Sequence, residues 1–186
     1  MKYCSQCAAL LEQRIPQGDD RARDVCPACG TVFYQNPKII AGCLPVWQDQ
    51  VLLCKRGIEP RYGLWTLPAG FMENGETTQA AAARETLEEA CLALDPVHLD
   101  LYCYLNIPRI SQVYVIFRAR IPRLEFAPGH ESLEVALFAE PDIPWDQIAF
   151  PSIEVSLRHY FTDRATGDFP VHLEDIQRRP PSTFKI

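Results

Sequence analysis

The sequence has no apolar run that reaches the roughly 18 residues of a membrane-spanning helix. Its first residues, Met1-Lys2-Tyr3-Cys4, lead into a cysteine motif without the apolar segment of a signal peptide. Internal repeats and low-complexity tracts are also missing from its 186 residues. These absences predict a cytoplasmic protein without a membrane partner, with room for one full domain and a small appendage.

Positive charge is scarce as well. Lys and Arg total 18 against 24 Asp and Glu, and the formal net charge is −6. Proteins that bind nucleic acids or anionic membranes rely on long-range attraction by positive charge, which this chain lacks. We therefore expect no nucleic-acid partner, and we expect that an anionic small molecule would bind through a metal ion.

The eight cysteines favour a metal site over a set of disulfides. Two Cys-x-x-Cys pairs, Cys4 with Cys7 and Cys26 with Cys29, are separated by 18 residues, and the other cysteines are scattered through apolar segments. This spacing is typical of a zinc ribbon, in which Zn²⁺ supplies the folding energy of a segment too short for its own core. The charges of residues 1–35 balance, so a structural or homodimer-forming role is favoured over nucleic-acid contact.

A loop and a helix are predicted between residues 70 and 92. Gly70 and Gly75 permit a tight turn, Thr77 is a suitable N-cap, and an alanine-rich run with high helix propensity comes next. At 3.6 residues per turn, the apolar positions fall on one side of this helix. These positions are Ala80, Ala83, Leu87, Ala90 and Cys91.

Three acids, Glu85, Glu88 and Glu89, are predicted to lie on the opposite side of the helix. Such a patch is often a solvated helix face. Arg84, however, can pair with only one or two of these acids, and a cation would offset the remaining repulsion. Carboxylate oxygens are the ligands that Mg²⁺ and Mn²⁺ prefer. The patch therefore predicts a divalent metal site.

This stretch resembles the Nudix box: Gly, five residues, Glu, seven residues, Arg-Glu, an aliphatic residue, any residue, Glu-Glu, any residue, Gly and an aliphatic residue. The residues that match at the required spacing are Gly70, Glu76, Arg84, Glu85, Glu88, Glu89 and Leu92. Thr86 occupies an aliphatic position and Cys91 replaces the last Gly. Neither position carries an acid, so the metal site is retained, whereas the turn that closes the helix could differ.

The resemblance implies an α/β protein, an α/β/α sandwich around a mixed sheet, preceded by the small zinc ribbon. It also implies hydrolysis of a nucleoside diphosphate linked to another group, with catalytic Mg²⁺ or Mn²⁺ held by Glu85, Glu88 and Glu89. Arg84 is expected to orient Glu85 or Glu88, and Glu76 is expected to tie the loop to the helix.

An acid outside the box is expected to act from across the cleft, as a further metal ligand or as the acceptor of the water proton. Glu131 follows a long loop with a Pro128-Gly129 turn, and it corresponds to a metal-binding Glu in related NADH pyrophosphatases. Glu134 is the alternative candidate. The other interpretation of Glu131 is an exposed loop acid without a role.

Asn36-Pro37 breaks regular structure and marks the predicted domain boundary. The expected domains are a zinc ribbon (1–35), a Nudix hydrolase domain (36–167) and a C-terminal tail (168–186). Ile39 to Trp47 and Val51 to Arg56 are predicted to form a hairpin, in which Pro45 indicates an edge strand or a bulge.

Further strands are predicted at 97–105, 112–120 and 135–138, and a last helix at 152–162 that stops before Gly167. The histidines do not lie at a sequence spacing that would pair them with a partner residue in a site, and they are interpreted as structural or exposed. They are His98, His130, His159 and His172.

A zinc ribbon before a Nudix domain resembles two branches of the family, the NADH pyrophosphatases and the FAD/ADP-ribose pyrophosphatases. The first branch carries a Ser-Gln-Pro-Trp-Pro-Phe-Pro-x-Ser array after its box, and this chain has only Ser111-Gln112-Val113-Tyr114 there. Segments such as Phe126-Ala127-Pro128-Gly129-His130-Glu131-Ser132 resemble the second branch. We therefore expect FAD or ADP-ribose as substrate. The alternatives are NADH or NAD, including NAD-cap removal from RNA, and a non-catalytic nucleotide sensor.

Overall fold

The fold is described from a computed structural model that covers residues 1–176. Two compact units make up the chain, Met1–Pro37 and the part from Lys38 onward. The portion of the expected tail that follows residue 176 lies outside the described residues. Within the described part, neither helix has the length and apolar composition that crossing a bilayer requires.

The first unit is a three-stranded antiparallel sheet formed by β1 (Glu12–Arg14), β2 (Arg23–Val25) and β3 (Val32–Phe33). Two tight turns carry the cysteine pairs. In the first, the Ala8 amide donates to the Cys4 carbonyl at 2.9 Å, and in the second the Gly30 amide donates to the Cys26 carbonyl at 2.9 Å.

The four thiols of the ribbon converge. The sulfur atoms of Cys4, Cys7, Cys26 and Cys29 all lie within 4.8 Å of one another, a separation that fits tetrahedral thiolate ligation of zinc. Hydrogen bonds from the side chain and backbone of Thr31 lower the pKa of Cys29 to about 6, which favours the thiolate that a metal requires.

The second unit is built on an eight-stranded mixed sheet. Its strands are β4 (Lys38–Trp47), β5 (Gln50–Arg56), β6 (Trp65–Thr66), β7 (Ala69–Phe71), β8 (Asp100–Ile107), β9 (Gln112–Arg120), β10 (Ser132–Phe138) and β11 (His172–Asp175). Six of them follow the order β10-β5-β4-β9-β8-β11, while β6 pairs with β5 and β7 pairs with β4.

One helix covers each face of this sheet. Helix α1 (Thr78–Ala90) packs its alanines on one face, against residues such as Cys43 and Phe117. Helix α2 (Pro151–Arg164) packs on the other face through Ile153, Leu157, Tyr160 and Phe161. The expected α/β/α sandwich with a mixed sheet is confirmed.

Of the two alternatives predicted for Pro45, the edge strand is wrong, because β4 lies inside the sheet between β5 and β9. The bulge is not found toward β9 either, because the register of β4 with β9 continues through Pro45 without a shift. On one side of β4, β7 pairs only with Ile40 to Gly42, and β5 pairs only with Val46 and Trp47. The Cys43 amide points to this side and donates to Pro68 at 3.0 Å. Two residues further on, the nitrogen of Pro45 faces the same side, in the gap between β7 and β5. No strand pairs with β4 at this point on that side, so the backbone N–H that proline lacks is not needed for a hydrogen bond.

Two strand boundaries also differ from the prediction. The first strand after α1 begins at Asp100 and not at Val97, because the Asp95 side chain accepts a 3.0 Å hydrogen bond from the Val97 amide and caps a 3-10 turn. Strand β10 begins at Ser132, three residues before the predicted start, with a register irregularity between Ser132 and Glu134.

The segment after α2 contributes strand β11, which pairs in parallel with β8. Two histidines that the sequence does not connect meet at this strand. The rings of His159 and His172 stack, with their centroids 3.7 Å apart. His159 lies 2.6 Å from Glu174 and His172 lies 2.7 Å from Asp163. These pairs connect β11 to α2, a structural role for both histidines.

The ribbon predicts a measurable dependence on metal. Purified protein is expected to contain one zinc ion per chain, and Cys26→Ser is expected to lose it and to unfold residues 1–37, because the apolar core of this unit is too small to fold alone. Elemental analysis and amide hydrogen exchange measure both effects. Cys91→Ser, which changes an exposed thiol outside the ribbon, should retain the zinc. Iron or no metal in the wild-type protein would contradict the prediction.

Candidate functional site

Helix α1 has the ends that the box requires. The Thr77 hydroxyl accepts a 3.1 Å hydrogen bond from the Ala80 amide, as predicted for an N-cap. At the other end Cys91 adopts the left-handed conformation, with φ 49°, and its amide donates to the Leu87 carbonyl at 3.0 Å. The turn that a Gly would form at this position is therefore retained, with a conformation that is less favourable for Cys.

The buried face of α1 differs from the predicted apolar stripe. Leu87 is 52% exposed and Cys91 is exposed, whereas Glu89 is only 8% exposed. Because many residues of the helix are alanines, the apolar pattern of its sequence does not identify which face is buried. The buried residues are Ala81, Ala82, Ala83, Thr86, Glu89 and Ala90.

Thr86 fits the buried face although the box has an aliphatic residue at this position. Its hydroxyl donates a 2.7 Å hydrogen bond to the Ala82 carbonyl one turn earlier, so no polar group is left unpaired.

Arg84 connects the loop to the acids of the helix. Its guanidinium donates to Glu76 at 2.8 Å and 3.1 Å, to Glu85 at 2.8 Å and to Glu88 at 3.2 Å. It also donates to the Phe71 carbonyl at 3.2 Å, at the end of β7. The structure thus brings together Arg84, Glu76, Glu85 and Glu88 as the sequence predicted, with every donor directed at the protein itself.

Glu89 is the most buried acid of the group. Its carboxylate accepts a 3.2 Å hydrogen bond from the Ala69 amide. Burial raises its pKa to about 8, against the effect of the Ala69 amide. The neighbouring charges of Glu85 and Glu131 raise the pKa further, whereas Arg56 lowers it.

Glu85 lies against the backbone of β7. A Cβ at position 70 would overlap the Glu85 carboxyl group, so a larger residue there would displace that carboxyl group from its present position. Burial raises the pKa of Glu85, and the Arg84 guanidinium opposes the shift. Because burial disfavours the charged forms of Glu85 and Glu89, a divalent cation would stabilise both carboxylates.

The loop between β9 and β10 brings Glu131 to the helix. The amides of Ala127 and Gly129 donate to the Ala90 and Glu89 carbonyls, each at 3.0 Å, at the end of α1. The charge of Glu131 acts on both Glu85 and Glu89.

Glu134, the alternative acid, points elsewhere. It forms an ion pair with Lys55 at 3.4 Å on the neighbouring strand and is about half exposed.

Arg56 is a candidate that the sequence analysis did not single out. It ends β5 beside Ser132, its guanidinium lies 5.2 Å from the Phe150 ring, and it donates to the Pro60 carbonyl at 2.8 Å. Its charge lowers the pKa of the buried Glu89, an effect that opposes burial. In the sequence Arg56 looks like any arginine at the end of a strand, and it lies at no fixed spacing from the box, so sequence patterns do not identify it.

The donor set suits a divalent cation. Glu85, Glu88, Glu89 and Glu131 offer only carboxylate oxygens, the ligands of Mg²⁺ and Mn²⁺. They are looser than the thiol cluster: over residues 1–176, the ribbon cysteines are the single group of three or more metal-ligating side chains within 4.8 Å of one another.

Two family descriptions cover most of the chain. Residues 2–35 match the family described as Nudix N-terminal, a zinc ribbon, and residues 36–155 match the NUDIX domain.

Curated relatives of the chain include the NAD-capped RNA hydrolase NudC of Photobacterium profundum, which is 31% identical over 144 residues. The match covers 74% of this chain and 49% of that protein. NudC of Pseudomonas aeruginosa (strain LESB58) is 27% identical, over 77% of this chain and 50% of that protein. The chain spans about half the length of these relatives. The expectation that nucleic acids are excluded as partners is not supported, because these relatives are named for an RNA substrate.

Solved structures include a NUDIX hydrolase from Nitrosomonas europaea, with 52% identity and a TM-score of 0.91 over 96% of this chain and 100% of that chain. An ADP-ribose pyrophosphatase from Streptococcus suis 89-1591 has 21% identity and a TM-score of 0.56, over 76% of this chain and 100% of that chain, which supports the fold alone. The Nudix enzymes use divalent metals, in agreement with the carboxylates of α1. The chain belongs to the Nudix hydrolase family, in a branch that carries an N-terminal zinc ribbon.

Proposed function

We propose that the protein hydrolyses the diphosphate bridge of an ADP-linked nucleotide and releases AMP. The observation that carries this proposal is the attachment of the β9–β10 loop, which carries Glu131, to the end of the acid-bearing helix α1, where the Gly129 amide donates to the Glu89 carbonyl at 3.0 Å. The four acids would provide ligands for divalent ions, and Arg56, whose charge acts on Glu89, would provide a positive group for a phosphate.

Each residue has a distinct part in the proposed reaction. When bound, Mg²⁺ or Mn²⁺ would neutralise the diphosphate and activate water. Glu85, Glu88, Glu89 and Glu131 hold the ions. Arg84 keeps Glu85 and Glu88 in position and has no donor directed to the substrate.

The first candidate substrate is NAD or NADH. The curated relatives named for NAD-capped RNA support it, and NAD is itself an ADP-linked dinucleotide. Capped RNA carries the same diphosphate bridge, but its adenosine is joined to the RNA, so hydrolysis there would release nicotinamide mononucleotide and leave a 5′-monophosphate on the RNA.

The second candidate is FAD or ADP-ribose. The Trp-Pro array of the NADH pyrophosphatases is missing, and its place is taken by β9, in which Tyr114 and Val115 are buried in the sheet. A stacking site of the kind that the array would provide is therefore not available from this segment.

We predict that AMP is a common product from NADH, NAD, FAD and ADP-ribose, with kcat/KM about tenfold or more above that for ATP, because only the former link ADP to a second group. Product separation after incubation with this panel and an NAD-capped oligonucleotide measures the ranking. A tenfold difference between NADH and FAD corresponds to about 1.4 kcal/mol in transition-state binding and selects between the two candidates. Release of inorganic phosphate from ATP as the dominant reaction would contradict the proposal.

The acids of the box are predicted to act in catalysis and not in folding. Glu88→Gln and Glu89→Gln are each expected to lower kcat by roughly a thousandfold or more, about 4 kcal/mol. Without metal, the melting temperature should change little. Glu88→Gln gives up an ion pair with Arg84 at a half-exposed position, and such pairs contribute little to stability. Glu89→Gln replaces a buried carboxyl group whose pKa is raised to about 8, and the amide oxygen introduced there can still accept from the Ala69 amide. Glu12→Gln, at an exposed position of β1 in the ribbon, is the control for a surface carboxylate. Wild-type activity in both box variants would identify the patch as a solvated helix face.

Glu131 is predicted to matter more than Glu134. Glu131→Gln should lower kcat by about tenfold or more and raise the metal concentration needed for half-activity, as expected for loss of one metal ligand. Glu134→Gln should have a smaller effect, because this side chain pairs with Lys55. Steady-state rates over a Mn²⁺ titration measure both variants. The opposite order would reassign the role to Glu134.

A further inference from the structure

The loop that carries Glu131 rests directly on the backbone of the box helix. The Gly129 amide donates to the Glu89 carbonyl at 3.0 Å, and the Ser132 amide turns back to the Gly129 carbonyl at 3.0 Å. Residues 129–132 therefore form a tight turn with Glu131 inside it. One end of the turn is fastened to the residue that supplies the most buried acid of the site.

Contact at Gly129 leaves no room for a side chain. A Cβ added there would overlap the Glu88 carbonyl oxygen and lie 2.8 Å from the Glu88 carbonyl carbon. These are backbone atoms of the last turn of α1, which cannot move aside as a flexible side chain would. Any larger residue must push the turn away from the helix.

The other side of the turn meets a second glycine. The Gly57 amide donates to the Glu131 carbonyl at 2.7 Å, and a Cβ at position 57 would lie 2.9 Å from the same oxygen. Gly57 follows directly after Arg56 at the end of β5. The backbone of Glu131 is thus held between the sheet and α1 by two contacts that exclude side chains.

We infer that Gly129 is a positioning residue: its contact with the end of α1 sets the distance of the Glu131 carboxylate from Glu85 and Glu89, and so sets the affinity of the metal site. Gly57 does the same from the sheet side. The inference rests on the proposed role of Glu131 as a metal ligand, and it assigns a role to two residues outside the box that carry no functional group.

The test measures Mn²⁺ binding without substrate, by electron paramagnetic resonance of free Mn²⁺ in a titration of the full chain. Gly129→Ala is expected to weaken binding by about tenfold, the usual effect of disturbing a group that orients a metal ligand. Gly57→Ala, with a milder overlap, should act in the same direction and serves if Gly129→Ala does not fold. Gly167→Ala, beyond α2, is the control and should keep wild-type Mn²⁺ affinity. The φ of 74° at Gly167 makes a Cβ there strain the backbone, but the added Cβ would contact no atom within 4 Å.

A double-mutant cycle shows whether the effect passes through Glu131. Combined with Glu131→Gln, Gly129→Ala should cause little additional loss of Mn²⁺ affinity, since the side chain it positions is already changed. An additive loss would mean that Gly129 acts on α1 directly and would overturn the inference, as would wild-type affinity in Gly129→Ala. If Glu131→Gln alone leaves Mn²⁺ binding unchanged, the inference also falls. The proposed hydrolysis is judged separately, by AMP release from the substrate panel with the wild-type protein.

Discussion

Repulsion among like charges is the constraint on which this structure depends. Glu85, Glu88, Glu89 and Glu131 are drawn into one cleft, and two of them are largely buried. Burial and the neighbouring negative charges both disfavour the ionised forms of Glu85 and Glu89. Arg84 offsets part of this cost, and the Ala69 amide offsets another part at Glu89. The remaining imbalance is the physical basis for affinity toward a divalent cation.

The scaffold around the acids consists mainly of backbone contacts. Short strands β6 and β7 enter between β4 and β5 and deliver the Ala69 amide and the glycine at position 70 to the helix. The β9–β10 loop closes the other end of α1 with its own amides. Because peptide groups have fixed geometry, these contacts hold the backbone around the acids rigidly, and the Arg84 side chain adds hydrogen bonds to Glu85 and Glu88. The ribbon differs in principle, since its stability is expected to come from zinc and not from an apolar core.

Much of the fold followed from local patterns. The cysteine spacing, the N-cap at Thr77, the last helix and most strands are found where the sequence indicates them. Two failures arise because the deciding partner is distant in the chain, whereas the later start of β8 comes from a local cap by Asp95. For Pro45 the sequence indicates an edge strand or a bulge, because the gap between β7 and β5 that accommodates this proline is formed by strands that follow later in the chain. The buried face of α1 was misplaced because alanines on all sides leave the direction to the sheet.

The sequence by itself determined the family, the set of acids and the four cysteines, because each is encoded by residue type at fixed spacing within a short segment. Only the tertiary structure decided that Glu89 is buried, that the loop of Glu131 bonds to the end of α1 while Glu134 pairs with Lys55, and that the charge of Arg56 acts on Glu89. These facts depend on how the β9–β10 loop and the end of β5 pack against α1. Contacts of this kind join residues with no fixed separation along the chain, so no spacing in the sequence can specify them.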